Sequence, residues 1–145
     1  MTIIDGGEGG ALHIEGSTVE LTGLTLTGRA SAWTGAGVSA LSSTLAVHDS
    51  VISGATSAAH PSYGAYLSLT DSTWERVVFE DNSVSNGALG AFDGGYLEIV
   101  HCLFQRNGSI VLNVGGPDAT IHNNLIVDNS CDIACVNLSM NTAVL

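Results

Sequence analysis

Two stretches of the sequence, Phe79-Glu-Asp-Asn82 and Phe104-Gln-Arg-Asn107, repeat one short pattern 25 positions apart. Each stretch places a large apolar residue three positions before an asparagine. Weaker copies occur elsewhere, and large apolar residues recur with them at intervals of 26, 27, 25 and 22: Leu26, Ile52, Phe79, Phe104 and Ile126. A self-similar period of this length is typical of solenoids, propellers and arrays. The chain is therefore a repeat protein, and the period decides its fold.

The repeats are built from short strands. A second large apolar residue lies five positions before each member of the apolar series, and alternating segments precede it. Gly, Ser, Asn and Asp separate these segments, and no stretch keeps an apolar stripe long enough for a helix. A propeller blade needs about 40 residues and four antiparallel strands, more than these units supply. The pattern predicts an all-β solenoid of about five coils of 22–27 residues, with three short parallel strands per coil.

Equivalent side chains of successive coils are expected to stack in columns at the ~4.8 Å strand spacing. Phe79 and Phe104 then belong to an apolar column in the core. Three residues after each member of this apolar column, successive coils carry Arg29, Ala55, Asn82, Asn107 and Asn129. Three successive asparagines predict a structural ladder of amides that satisfies backbone groups at a bend. One position earlier in the repeat, Arg106 is predicted to lie between carboxylates of the two neighbouring coils.

The segment Gly9-Gly-Ala-Leu12, followed by the Phe-x-x-Asn copies at Phe79 and Phe104, resembles a known bacterial repeat. It is similar to the repeat of polymorphic outer membrane proteins and to the wider right-handed parallel β-helix class, which includes autotransporter passengers and pectate-lyase-like proteins. The resemblance runs from Thr2 to about Asn129. It implies a right-handed parallel β-helix with an extracellular or bacterial cell-surface location. A left-handed crossover between parallel strands is in any case rare.

The charge balance excludes several classes of partner. Fourteen acidic residues face three arginines and no lysine, which gives a formal net charge of −11. Such a surface does not neutralise phosphates, so nucleic-acid binding is not expected, and anionic lipid repels it. No apolar run approaches the length of a membrane span, so this segment is not expected to insert into a membrane. No cofactor is expected; scattered carboxylates leave calcium open as a ligand, although no loop has calcium-ligand spacing.

One column of the predicted coils carries both charged and polar side chains: Asp49, Arg76, His101 and Asn123. Parallel β-helix lyases and hydrolases act on acidic polysaccharides with clustered carboxylates, and lyases add a basic residue that removes a proton. Asp49, Arg76 and His101 are therefore the candidate catalytic residues of a lyase-like enzyme. The alternative is an outer polar column whose charges pair with one another, as surface ion pairs commonly do.

Two insertions, residues 29–37 and 55–65, follow the apolar column in the first two coils. They are predicted to leave the solenoid at the same corner and to lie side by side. Trp33, His60 and Tyr63 lie in them. Because aromatic faces stack on sugar rings, these three residues are the candidate ligand-binding site of a carbohydrate-binding module. The alternative is that the insertions have no role and that their aromatic rings fold back onto the coil.

The cysteines allow one disulfide, as would form in an oxidising compartment, and show no metal-ligand pattern. Cys131 and Cys135 are close enough in sequence to form a disulfide at a bend. Cys102 falls in a largely apolar column and is expected to be a buried, unreactive thiol. The five histidines fall mostly in different columns, so they cannot share one coordination sphere. No metal ligands are therefore predicted.

Neither end of the sequence shows the polar or helical cap that terminal repeats of solenoids carry. Because open strand edges pair with other strands, residues 1–145 are expected to form one β-helix segment of a longer protein, or a unit that stacks end to end into a fibre. The expected function is a non-catalytic extracellular or cell-surface solenoid that acts as a stalk, adhesive surface or fibre-forming element. The alternatives are a polysaccharide-active β-helix and a carbohydrate-binding module.

Overall fold

Short parallel strands make up the whole architecture. The computed structural model describes residues 2–30, 34–57, 61–132, 134–139 and 143–144, and within these ranges the chain forms twenty β-strands and no helix. Three parallel six-stranded sheets run along the molecule, and two further strands form a small fourth sheet. This arrangement confirms the predicted parallel β-solenoid.

The strands divide among the sheets as follows. Sheet I contains β1 (Thr2–Asp5), β4 (Leu24–Thr27), β8 (Val51–Ser53), β12 (Val78–Glu80), β15 (Leu103–Gln105) and β18 (Leu125–Val127). Sheet II contains β2 (Leu12–Glu15), β6 (Gly35–Leu41), β10 (Tyr63–Ser68), β13 (Gly87–Phe92), β16 (Leu112–Gly115) and β19 (Val136–Ser139). Sheet III contains β3 (Thr18–Thr22), β7 (Thr44–His48), β11 (Asp71–Glu75), β14 (Tyr96–Val100), β17 (Asp118–His122) and β20 (Ala143–Val144). The small sheet pairs β5 (Arg29–Ala30) with β9 (Thr56–Ser57).

Each coil passes through sheets II, III and I in that order. Five complete coils can be followed in the described residues, beginning at β2, β6, β10, β13 and β16. The strand β1 precedes the first complete coil, and β19 and β20 follow the last one. Each strand pairs with its equivalent one coil away, so the sheets are held together by contacts between residues 22–28 positions apart.

The alternating pattern of the strands fills the interior with apolar columns. The predicted column of Leu26, Ile52, Phe79, Phe104 and Ile126 is in register along sheet I. The first four of its residues are completely buried. The rings of Phe79 and Phe104 stack with centroids 4.7 Å apart and an interplanar angle of 6°. In sheet III, Trp74 lies between Val47 and Ile99 in a second buried column.

Each coil turns through residues with left-handed backbone conformation. The corner between sheets III and I places one such residue in every complete coil: Gly23, Asp49, Arg76, His101 and Asn123. The corner that follows sheet I does so in the later coils: Gly54, Asp81, Arg106 and Asp128. Gly adopts this conformation at little cost, and Asn, Asp and His are enriched in it, whereas arginine rarely adopts it. The recurrence of these positions therefore reflects the geometry of the turn as well as any function of the side chains.

The first coil departs from the predicted columns at one corner. Arg29 is not in register with Ala55; it pairs with Thr56, and the amide of Thr56 donates to the carbonyl of Gly28 at 3.2 Å. Gly28 therefore occupies the position that Ala55 and Asn82 hold in the next coils. The first coil has one residue fewer between its sheet I strand and this position, and it lacks the left-handed residue found there later. The assignment of Arg29 to the asparagine column was wrong by one residue.

Candidate functional site

The candidate catalytic stripe lies along the corner between sheets III and I. Asp49, Arg76, His101 and Asn123 have φ angles of 49°, 53°, 54° and 57° there, one in each successive coil. The backbone amide of Asp49 donates to the carbonyl of Glu75 at 3.1 Å, and that of Arg76 donates to the carbonyl of Val100 at 3.2 Å. The structure thus aligns the residues in one exposed row.

Arg76 forms an ion pair within this row. Its Nε donates to Asp49 Oδ1 at 2.7 Å and its Nη2 donates to Asp49 Oδ2 at 2.9 Å, which is a two-point contact. A third nitrogen of the guanidinium contacts the carboxylate of Glu75. The hydrogen bonds from Arg76 hold the pKa of the Asp49 carboxyl below its usual range, and the bond to Asp49 raises the pKa of Arg76. Both groups therefore stay charged and paired.

This pairing limits what the stripe can do chemically. A general base must release its proton to accept one from the substrate, and a guanidinium with a raised pKa does not do so near neutral pH. Its donors are also directed at two carboxylates of the protein itself. The ring of His48 lies against one of these two carboxylates, with its Nδ1 3.3 Å from Glu75 Oε2. His101 is exposed, one coil from Arg76, and it is the titratable member of the stripe that no ion pair in the described residues engages.

A similar ion cluster lies at the corner after sheet I. Arg106 Nε donates to Asp81 Oδ1 at 2.8 Å, and its Nη2 donates to Asp81 Oδ2 at 2.8 Å and to Glu80 Oε2 at 2.9 Å. Asp128 in the following coil forms no ion pair with Arg106 among the described residues. The register confirms the prediction that Arg106 lies between carboxylates of the two neighbouring coils, Asp81 and Asp128, but in the described residues its ion pairs are made only to the earlier coil. The side chain turns towards the earlier coil because two carboxylates are available there.

Where the structure describes them, the two insertions lie side by side, because the backbone of β5 pairs with that of β9. Tyr63 does not present its ring to solvent: it is 1% exposed and its hydroxyl accepts a hydrogen bond from Asn86 Nδ2 at 3.2 Å. Burial raises the pKa of Tyr63. The expectation that Tyr63 stacks on a sugar was therefore wrong. Trp33 and His60 lie outside the described residues.

The asparagine column forms a continuous chain of amide hydrogen bonds. Asn82 Nδ2 donates to Asn107 Oδ1 at 2.8 Å, and Asn107 Nδ2 donates to Asn129 Oδ1 at 3.0 Å. Each asparagine also donates to a backbone carbonyl of the preceding coil: Ile52, Phe79 and Phe104 respectively. Asn82 and Asn107 are both 1% exposed. The amides therefore satisfy buried backbone groups and leave no donor for a ligand at this corner.

The comparisons with known proteins agree with this architecture. The family model for the right handed beta helix region matches residues 1–145, which is the whole sequence. The chain belongs to the right-handed β-helix family. This match confirms the handedness that the sequence resemblance implied. No curated protein and no solved structure gives a significant match to the chain.

A disulfide lies beside the last complete coil of this right-handed β-helix. The sulfur atoms of Cys131 and Cys135 are 1.98 Å apart and their Cα atoms are 5.2 Å apart. Cys102 is a free thiol, 2% exposed, and burial raises its pKa to about 11. Its sulfur contacts the carbonyl of Trp74 at 3.3 Å. A neutral, enclosed thiol is a poor nucleophile and metal ligand.

Sequence analysis missed an aromatic cluster on the outer face of sheet II. The ring of Tyr63 lies 5.4 Å from those of both Tyr66 and Phe92, measured between centroids. Gly90 makes this possible, because a Cβ atom there would lie 2.5 Å from the Tyr63 ring. The signal was present in the strand alternation, which places Tyr66 and Gly90 on the same outward column. The cluster covers the sheet, so that its central strands are buried on both faces.

The described residues hold no group of three or more His, Cys, Asp or Glu side chains arranged to bind a metal ion. Among those residues there is also no helix long and apolar enough to cross a membrane. Charged side chains of the described residues cluster in the ion pairs of the two corner rows described above.

Proposed function

We propose that this right-handed β-helix is a non-catalytic structural element that acts as a stalk, an adhesive surface or a fibre-forming unit. One observation carries the proposal: the arginine side chains are engaged by the protein's own carboxylates. All three arginines of the chain lie in the described ranges, and each pairs with an acidic residue. Arg29 contacts Glu8 at 2.7 Å. These contacts are typical of a scaffold, which has ion pairs along its corners, amide hydrogen bonds along the asparagine column and apolar columns inside.

We place the protein outside the cell or on a bacterial surface. The bonded pair Cys131 and Cys135 supports an oxidising compartment, since such bonds are rare where thiols are kept reduced. The Phe-x-x-Asn copies resemble repeats of polymorphic outer membrane proteins and autotransporter passengers, which are surface proteins. In this proposal residues 1–145 serve as one β-helix segment, joined to further coils of a longer chain or to other copies.

A polysaccharide-active β-helix is the second candidate, and the single row of Asp49, Arg76 and His101 favours it. Such a row follows the direction of the solenoid, with one residue in each coil at the ~4.8 Å strand spacing. The net charge of −11 opposes it, because a uronate polymer is also anionic. The paired state of Arg76 opposes it as well, since binding a substrate carboxylate would require the bond to Asp49 to break.

Incubation with uronate polymers tests the two candidates against each other. The unsaturated product of a lyase is followed by its ultraviolet absorbance, and shortening of the polymer by gel filtration detects a hydrolase. The scaffold proposal predicts no product from the wild-type protein. Product formation that disappears in Arg76→Ala and persists in the matched corner variant Arg106→Ala would overturn it in favour of the enzyme.

A further inference from the structure

Leu69 occupies an unfavourable position at the corner between sheets II and III. Each complete coil has a left-handed residue at this corner: Gly16, Ser42, Leu69, Asp93 and Gly116. The φ angle of Leu69 is 50°, and its side chain is 57% exposed. A leucine rarely adopts this conformation, and an exposed leucine gains little from the hydrophobic effect. Because glycine and serine make the same turn, the fold does not require a large side chain there, and such costs are concentrated at functional sites.

An exposed aromatic ring lies near Leu69 in the next coil. Tyr96 is 42% exposed, and its hydroxyl donates to Thr120 Oγ1 at 3.1 Å, which fixes the ring on the outer side of sheet III. The backbone amide of Tyr96 donates to Asp71 Oδ1 at 2.8 Å, so this carboxylate lies beside the tyrosine. Gly94 leaves the surface next to Leu69 open, since a Cβ atom there would lie 3.9 Å from Leu69 Cδ2. An apolar side chain, an aromatic ring and a carboxylate are thus brought together.

A groove lined by hydroxyl groups begins at the same corner. Its volume is about 360 Å³, and its lining includes Thr18, Ser42, Thr44, Leu69 and Asp71. Small-molecule sites commonly have volumes of about 300–1,000 Å³. Ser42 and Thr44 are exposed, and within the described part of the chain neither hydroxyl group forms a hydrogen bond with the protein. Because hydroxyl groups both donate and accept, the groove offers hydrogen-bond partners to a ligand that is itself rich in hydroxyl groups.

We propose that this corner binds a neutral saccharide. The apolar face of one sugar ring packs on Leu69 and Tyr96, and the sugar hydroxyl groups bond to Asp71 and to the hydroxyl groups of the groove. A saccharide suits the site better than a protein does, because two exposed side chains supply far less than the ~800 Å² that each partner buries in a standard protein interface. This inference rests on the proposed function in its adhesive form, and it names the class of ligand and the binding residues.

The charges around the corner select against acidic sugars. Asp93 lies in the same corner row as Leu69, and Asp118 follows Tyr96 in the outward column of sheet III. The three arginines of the chain are bound to carboxylates at other corners of the coils. A uronate or another acidic sugar would therefore meet like charges without a cation to pair with. The expected ligands are neutral hexoses and N-acetylhexosamines, which carry no charge to be repelled.

An oligosaccharide array tests the class of ligand. Fluorescently labelled protein is applied to immobilised neutral oligosaccharides that end in hexoses or N-acetylhexosamines, and to uronate and sialylated oligosaccharides on the same array. We expect binding to a subset of the neutral compounds. Absence of binding to every compound, or binding confined to the acidic ones, would overturn the proposal. The neutral oligosaccharide with the strongest signal then serves as the probe for titrations in solution.

The variant Leu69→Gly separates a binding role from a structural one. Glycine adopts the left-handed conformation without a steric cost, so the midpoint of urea unfolding should stay the same or rise. Affinity for the probe should fall at least about tenfold, because the sugar ring loses an apolar contact. The matched control is Asp128→Gly, which introduces glycine at an exposed left-handed position of another corner, with a φ angle of 53°. Equal affinities of the two variants for the probe would overturn the proposal.

The variant Tyr96→Ser gives a second measurement at the same site. It removes an exposed ring, so the far-ultraviolet circular dichroism spectrum should not change, and affinity for the probe should again fall at least about tenfold. Unchanged affinity in this variant would contradict the proposed stacking. A protein that binds no saccharide would leave the scaffold proposal standing, since the latter fails only if the polymer-cleavage assay detects an Arg76-dependent activity.

Discussion

Replacing Asn107 by alanine is expected to destabilise the protein more than any other single change on its surface corners. The side chain makes four hydrogen bonds in a buried position. Its Nδ2 donates to Phe79 O at 2.9 Å and to Asn129 Oδ1 at 3.0 Å. Its Oδ1 accepts from Asn82 Nδ2 at 2.8 Å and from the Asn82 backbone amide at 3.2 Å.

The magnitude follows from these contacts. A net contribution of about 0.5–1.5 kcal/mol per hydrogen bond, with buried partners left unsatisfied, gives a loss of roughly 3–5 kcal/mol in the free energy of unfolding. The matched control is Asn137→Ala. Asn137 is exposed, and its Nδ2 donates to Asn113 Oδ1 at 3.0 Å. A surface change of this kind usually stays within about 0.5 kcal/mol.

Urea unfolding followed by far-ultraviolet circular dichroism measures the difference. Both variants are compared with the wild type by linear extrapolation, and the slope m is checked in each, because an altered m signals a change other than native-state stability. A difference of less than about 1 kcal/mol between Asn107→Ala and Asn137→Ala would refute the reasoning. Such a result would mean that water replaces the hydrogen bonds of the Asn107 side-chain amide, and that the asparagine ladder forms because of the turn geometry without stabilising the fold.

Three further outcomes are expected. Phe104→Ala removes the ring stacked on Phe79 and should cost about 3–5 kcal/mol in urea unfolding, and Phe104→Leu clearly less. Cys102 should resist a thiol reagent at neutral pH and react at the rate of unfolding, since its pKa is raised to about 11; rapid reaction of the native protein would contradict its burial. The hydrogen bonds from Arg106 lower the pKa of Asp81. They therefore stabilise the folded state at pH values above the usual pKa of an aspartate, and this contribution is lost as the pH falls through the lowered pKa of Asp81. Asp81→Asn should therefore remove part of the acid dependence of the unfolding midpoint, and an unchanged pH profile would show that the pair contributes nothing.

The two corner rows show what an alignment of the repeats can predict. Aligning the repeats on one apolar column placed Asp49, Arg76 and His101 in one row, and the structure has them in one row. The alignment could not tell which of two neighbouring coils an arginine would contact. Arg106 turns to one side only, because side-chain direction depends on the positions of Glu80 and Asp81 in space.

The errors have a common origin in the lengths of the connections. Counting residues from Leu26 assigned Arg29 to the asparagine column, since a sequence alignment assumes that every corner has the same number of residues. Tyr63 was a candidate for sugar binding because it lies in the insertion 55–65, which is rich in Ala and Ser. It begins strand β10 instead, and Gly90 in the adjacent strand leaves room for its ring.

The period, the parallel pairing and the composition of the inner columns can all be read from the amino-acid sequence. The physical reason is that a solenoid stacks each residue on its equivalent one period away, so a repeated apolar or asparagine position is also a contact in space. The contacts of the arginines and the burial of Tyr63 became visible only in three dimensions. These depend on the offsets between sheets and on the direction of individual side chains, neither of which a one-dimensional period specifies.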